Sequence, residues 1–287
     1  MENWKNIILG FGLFFFVLVL FFTGGNSLFW NSVALGGLMV FLWVFEVIPI
    51  YVTALFPLVL GIPLGILDQT DLAKAYGNSN VYLFLGGFIL ALALEKWNVH
   101  EQIARGIIKV VGRSKPRIIL GFLLSTGILS MWISNTATAL MMLPMALAVI
   151  HALPKGEKHQ KFPLLLLLSV AYSASVGGMA TLVGSPPNIQ MASILEQNYQ
   201  IDVDFIGWMK VALPISLSMI LVIFVFFYFL LGKERKGEDQ QIEIKPEPWN
   251  KDQLLILSIF GVVVILWSFR EYFNLMGFNY RDEVPAI

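Results

Sequence analysis

Of the 287 residues, 57% are hydrophobic and 13% are charged, and the mean hydropathy is +0.75. Soluble domains carry about 25% charged residues, so this composition excludes a soluble globular protein and defines an integral membrane one. Basic and acidic residues balance at 19 each and cysteine is absent, which removes any disulfide framework, thiolate metal centre or cysteine nucleophile.

In chain order, Trp4 and Lys5 precede a Phe-rich apolar run to Phe22. The following Thr23-Gly24-Gly25-Asn26 lacks the small-x-small pattern of a cleavage site, so an uncleaved first helix is expected at about 6–22. Further spans are predicted near 30–47, 50–67 and 80–95. Residues 96–117 interleave Trp97, Ile103, Ile107, Ile108 and Val111 with Arg105 and Lys109, which predicts a helix lying in the inner membrane interface. Beyond a polar-tipped segment at 118–151, a broken span is predicted at 163–195 and continuous ones at 207–231 and 253–270. The loop 232–252, with Gly232-Lys233-Glu234-Arg235-Lys236-Gly237 and Lys245-Pro246-Glu247-Pro248, reads as a flexible, solvated cytoplasmic linker.

Charge fixes the orientation. With the N-terminus cytoplasmic, only Lys74, Lys210, Arg270 and Arg281 among the basic residues fall on the outer side, where Asp68, Asp71, Asp202, Asp204 and Glu271 also gather. The expected location is the cell's inner (plasma) membrane, crossed several times, with lipid as the immediate partner and no nucleic-acid partner.

The segment 118–151 is too long for one span and too short for two. Ile118 to Ile133 and Ala137 to His151 give helices of roughly 24 and 22 Å at about 1.5 Å per residue, against a hydrocarbon core of about 30 Å. Arg113, Lys115 and Arg117 stand before the pair and Lys155, Lys158 and Lys161 after it, so both ends prefer the cytoplasmic side. A re-entrant helical hairpin follows, with Ser134-Asn135-Thr136 as a polar tip at mid-membrane depth, where irregular backbone survives only inside protein or beside a water-filled cavity. Carbonyls near Ile133, the hydroxyls of Ser130 and Ser134 and the amide oxygen of Asn135 supply hard oxygen ligands suited to Na⁺. The N–H groups opening the second arm favour an anion. Isolated Ser and Thr in membrane helices commonly bond back to their own helix or join neighbouring helices, a competing reading of the same residues.

A second irregularity lies in the fifth span, where Gly177, Gly178 and Gly184 precede Ser185-Pro186-Pro187-Asn188. Both prolines lack an amide donor and push the residue before them away from the helical region, so the chain unwinds and exposes carbonyls around Thr181 to Gly184. Pro187 is placed to open an outer half-helix. Ser185 and Pro186 are candidate substrate contacts, whereas Gly177-Gly178 fits close helix packing equally well. A broken span beside a broken hairpin is the expected construction of an ion and substrate site in a secondary transporter. After the linker only one span is predicted before Ile287, so a first repeat over 1–231, the linker 232–252 and a truncated start of a second repeat over 253–287 are expected.

Leu85-Gly86-Gly87-Phe88-Ile89-Leu90-Ala91-Leu92-Ala93-Leu94-Glu95-Lys96-Trp97, then Ser134-Asn135-Thr136-Ala137-Thr138-Ala139 running to Met142-Leu143-Pro144, then Gly184-Ser185-Pro186-Pro187-Asn188, together resemble the divalent anion/sodium symporter family. The resemblance runs over nearly the whole chain and in the family's order. It implies an all-α, inverted-repeat, dimeric carrier of elevator type that moves dicarboxylates, tricarboxylates or sulfate with Na⁺ and uses no other cofactor. It also implies that Ser134, Asn135 and Thr136 bind both sodium and a substrate carboxylate, and that Ser130 and the backbone at Gly184 complete the first sodium site. The family's second hairpin has no counterpart in these residues.

A tip with no Lys or Arg cannot neutralise a dianion by itself, and burying that charge unpaired costs several kcal/mol or more. Bound Na⁺ would supply the missing charge, which makes ion and anion binding mutually dependent. The competing expectations are a sulfate or other inorganic-anion permease of the same fold, a proton-coupled or arsenite-type permease, and a truncated membrane fragment without turnover. An enzyme is the least supported, because the chain carries no metal-ligand motif on a helix and no nucleophile or paired-acid constellation.

Overall fold

The computed structural model describes residues 2–25, 27–112, 114–153, 161–236, 248–278 and 283–286. It is helical throughout, with no strand among the described residues, and seven of its helices are long and apolar enough to cross a membrane by length and composition. The chain divides into two compact units, residues 1–78 and 79–287.

The first unit holds α1 (Glu2–Phe22), α2 (Leu28–Phe45), α3 (Ile50–Thr53), α4 (Phe56–Leu60) and α5 (Gln69–Tyr76). The single span expected over 50–67 is instead two short pieces. Pro57 has no amide to donate back to Thr53, and beyond α4 Gly65 takes a positive φ of 64° that turns the chain. Asn31 in α2 seals this irregular region, its Nδ2 donating to Gly25 O at 2.8 Å and to Leu64 O at 2.7 Å. Asp68 caps α5 by accepting from Asp71 N at 2.6 Å.

The second unit runs through α6 (Ser79–Lys96), α7 (Val99–Val111), α8 (Lys115–Ser130), α9 (Asn135–Ala152), α10 (Lys161–Gly178), α11 (Pro186–Tyr199), α12 (Phe205–Leu230) and α13 (Lys251–Ser268), followed by the short α14 (Arg270–Leu275) and α15 (Glu283–Ala286). The amphipathic α7 buries Val99, Ala104 and Ile108 and exposes Lys109 and Val110, the two-faced character its sequence predicts. The largest core joins α8, α9, α10 and α12 through Phe122, Leu123, Met142, Phe162, Leu166 and Ile220. Helix α10 is central: 61% of its apolar window is inside the protein, against 6% for α1, so its small and hydroxylated residues meet protein rather than lipid.

The linker read as solvated is docked at its start. Residues Gly232–Lys236 form a 3-10 turn, and both carboxylate oxygens of Glu234 accept from the first amides of α10, Lys161 N and Phe162 N, each at 3.1 Å. A carboxylate on these unpaired N–H groups caps the helix and complements its dipole. Most of the remaining linker, 237–247, lies outside the described residues. Helix α13 then opens with a reciprocal cap, Asn250 Oδ1 accepting from Gln253 N at 2.7 Å and Gln253 Oε1 from Asn250 N at 3.1 Å.

Candidate ion and substrate site

Helices α8 and α10 run side by side in the same sense. Lys115 Nζ, at the foot of α8, lies 5.9 Å from the ring of Phe162 at the foot of α10. At their far ends Ser130 Oγ donates to Ala174 O at 2.5 Å. Helix α9 returns in the opposite sense, since Asn135 at its start abuts Gly178 at the end of α10 while Val149 and Leu153 at its end join Phe162 in one core. Both feet of the α8–α9 pair are therefore at one end, and the two form an antiparallel helical hairpin.

The break at the tip falls at 131–134, earlier than the polar triplet suggests. Ser134 is the N-cap of α9 and its Oγ accepts from Ala137 N at 3.3 Å, so Asn135 and Thr136 belong to the first helical turn. This gives α9 18 residues, longer than the arm expected from Ala137. The Ile133 carbonyl, in the stretch expected to supply ion ligands, accepts from Thr138 Oγ1 at 3.4 Å.

Opposite the tip, α10 stops at Gly178 and α11 begins at Pro186. The two glycines expected to share one role have different ones. A methyl group on Gly177 would overlap the backbone of Gly127 in α8, so this residue serves close packing, whereas on Gly178 it would overlap Asn135 Oδ1. Beside Gly184 three carbonyl oxygens converge: those of Gly178, Ser130 and Met131 lie 2.7, 2.9 and 3.0 Å from the position a Cβ would occupy. Buried Asn188 holds the unwound turn, its Nδ2 donating to Gly178 O and Thr181 O at 2.7 Å each. Fully buried Thr181 donates to Met131 O and accepts from Gly184 N at 3.1 Å.

This geometry is rich in oxygen. Ser130 Oγ stands 3.0 Å from Asn135 Oδ1. Ser130 has one hydroxyl hydrogen and two acceptors within reach, Ala174 O and Asn135 Oδ1, so one of the two oxygen contacts is left without a hydrogen, an arrangement a small cation stabilises. Three other buried hydroxyls behave differently: Ser125, Ser169 and Ser173 bond back to carbonyls of their own helices.

An open groove of about 420 Å³ leads away from the tip between α9 and α10. Asn135, Thr136 and Ser175 supply its polar groups, and Leu140, Leu143 and Leu167 its apolar wall, with no charged side chain in the lining among the described residues. The first turn of α9 thus presents its dipole and polar side chains to the groove, a disposition that favours an anion. Of the residues singled out from sequence, Ser130, Asn135 and Gly184 come together, Thr136 joins Asn135 in the groove, and Ser134 precedes both as the cap of α9. Ser185 and Pro186 are not in the groove lining; Ser185 is the extended residue that precedes α11 and Pro186 is exposed at its first turn.

Three supports were not singled out from sequence. Thr181 and Asn188 fix the unwound turn, and only their position around the prolines hinted at it. Trp132, within the break, stacks 2° from parallel with Trp267 of α13 at 6.5 Å and meets Phe260 edge-on at 4.9 Å, with Phe205 of α12 at 5.9 Å. These rings brace the tip.

A polar-tipped hairpin against an unwound span is the construction of an ion-coupled secondary transporter. Comparison with known proteins agrees. Residues 40–278 match the profile of the citrate transporter family, and the chain belongs to that family, which is one of transporters rather than enzymes. It is 35% identical over 257 residues to the sodium-dependent dicarboxylate transporter SdcS of Staphylococcus saprophyticus, covering 84% of this chain and 49% of that protein. The protein of the same name from Staphylococcus aureus strain USA300 is 34% identical over 279 residues, covering 91% of this chain and 54% of that one. The chain spans about half the length of the curated relatives it matches. The resemblance to sodium-coupled anion carriers drawn from the three motifs is thereby borne out.

Proposed function

We propose that this chain serves sodium-coupled symport of small divalent anions, with C4-dicarboxylates or related di- and tricarboxylates as substrates. The observation that carries this reading is the Ser130–Asn135 oxygen pair at 3.0 Å beside a groove lined without charge. Na⁺ binds among Ser130, Ser134, Asn135 and the backbone at Gly184. The substrate carboxylate lies in the groove against Asn135 and Thr136, at the N-terminus of α9, with Ser134 between the two ligands. Ser185 and Pro186 border the site through the unwound turn they terminate. The relatives described as sodium-dependent dicarboxylate transporters support both the ion and the substrate class.

Among the described residues the groove lining holds no Lys or Arg, so the bound cation offsets the substrate's charge and each ligand raises the affinity of the other. The loaded tip moves by an elevator-type displacement in a homodimer embedded in the plasma membrane, with the N-terminus cytoplasmic. The packing of the tip against α10 at Gly177 and Gly178 supports motion of the hairpin and broken span as one body.

The test uses the chain in lipid nanodiscs, with the melting midpoint followed as succinate is added in NaCl or in choline chloride. Succinate raises the midpoint only with Na⁺, by linkage, and labelled succinate enters proteoliposomes only with a Na⁺ gradient. Asn135→Asp adds a negative charge beside the anion and abolishes both responses. Equal stabilisation by succinate in choline, or a response to sulfate with none to succinate, overturns the reading.

A further inference from the structure

Two arms from different parts of the chain must hold one set of oxygens in register, and one side chain spans them. Thr181 sits in the unwound turn between α10 and α11, and its side chain is completely buried. Its hydroxyl hydrogen goes to Met131 O in the hairpin break, and one lone pair receives Gly184 N at 3.1 Å. Both partners border the point where the carbonyls of Gly178, Ser130 and Met131 converge. The hydroxyl thus fixes the direction of one converging carbonyl and the placement of the residue that faces all three. Its donor is fully used, and the branched Cβ leaves little freedom at χ1, so the spacing is set rigidly.

We propose that Thr181 is a positioning residue that sets the width of the ion cage and thereby decides which monovalent cation it accepts. This rests on the sodium site of the reading above, and it assigns the selectivity of that site to a residue outside its ligands. Discrimination between small cations depends on the distances and field strength of the coordinating oxygens, which shift when the carbonyl of Met131 is released from its donor. A serine keeps both hydrogen bonds and loses only the rotamer restraint. Valine keeps the shape and loses both.

The experiment compares the wild type, Thr181→Val, Thr181→Ser and Thr181→Cys in lipid nanodiscs. The melting midpoint is titrated with NaCl and separately with LiCl, and choline chloride holds the ionic strength constant. In the wild type both titrations saturate and Na⁺ acts at the lower concentration. Thr181→Val requires about tenfold more Na⁺, and its ratio of Li⁺ to Na⁺ midpoints moves by at least about threefold, while Thr181→Ser stays within about twofold of the wild type on both measures. If the valine variant does not accumulate, Thr181→Cys carries the test, because a thiol is a weak, longer donor that sets the Met131 carbonyl differently and shifts the same ratio. A wild-type ratio in Thr181→Val, or in Thr181→Cys when that variant stands in, overturns the inference and leaves the sodium site intact. A wild type that NaCl stabilises no more than choline chloride overturns the sodium site itself, and the inference with it.

Discussion

Gly178 leaves room for Asn135 and for nothing else: a methyl group on its Cα would occupy the position of the amide oxygen that faces Ser130. The neighbouring glycine meets the backbone of α8 instead. One residue step along α10 thus separates a packing position from a site position.

Gly178→Ala is expected to displace the Asn135 amide and abolish stabilisation by NaCl, at a cost in stability of about 1–3 kcal/mol for overpacking. Gly177→Ala destabilises by a similar amount by forcing α8 from α10, and the surviving folded protein keeps its response to NaCl. Melting curves in NaCl and choline chloride separate the two.

Ser134 has two roles, as cap and as ligand, that substitution distinguishes. Ser134→Ala loses about 1 kcal/mol of capping energy, whereas Ser134→Gly loses only a few tenths. Both variants need higher Na⁺ concentrations for the same shift in melting midpoint. A glycine variant with the wild-type Na⁺ titration would assign the serine to the cap alone.

Asn188→Leu removes two buried hydrogen bonds at similar volume and leaves the carbonyls of Gly178 and Thr181 without this donor. The expected loss is about 2–4 kcal/mol, read as lowered thermal stability together with faster proteolysis within 179–185. Stability equal to wild type would show that the turn is held by its prolines alone.

Glu234→Ala uncovers the first amides of α10, costing about 0.5–2 kcal/mol. Hydrogen exchange at Lys161 and Phe162 accelerates by about tenfold, while exchange at the tip residues is unchanged. Glu234→Gln, still able to accept but uncharged, falls between the two.

The sequence made the helical breaks legible where chemistry forces them. Consecutive prolines at 186 and 187 cannot continue a helix, and the span breaks before them. The position of the tip break was misread by a few residues, because Ser-Asn-Thr looks like an interruption when its serine in fact starts a helix. The span over 50–67 failed for a related reason: its hydropathy is continuous, and a single Pro57 together with the turn through Gly65 outweighs that signal. The side-chain bridges from Thr181 to Met131 and from Glu234 to the start of α10 were not legible, since each joins residues distant in the chain and only folded proximity makes it visible. Glu234 in particular sits within a charge run whose composition is that of a solvated linker.

At Gly127 and Gly177 main chain presses on main chain, with no side chain between to swing aside. Rotamer changes therefore cannot adjust this contact, and under the proposed function the hairpin and the broken span would move together. Cargo at the tip would travel in a vessel of constant shape, and the work of releasing it falls on the walls around that vessel.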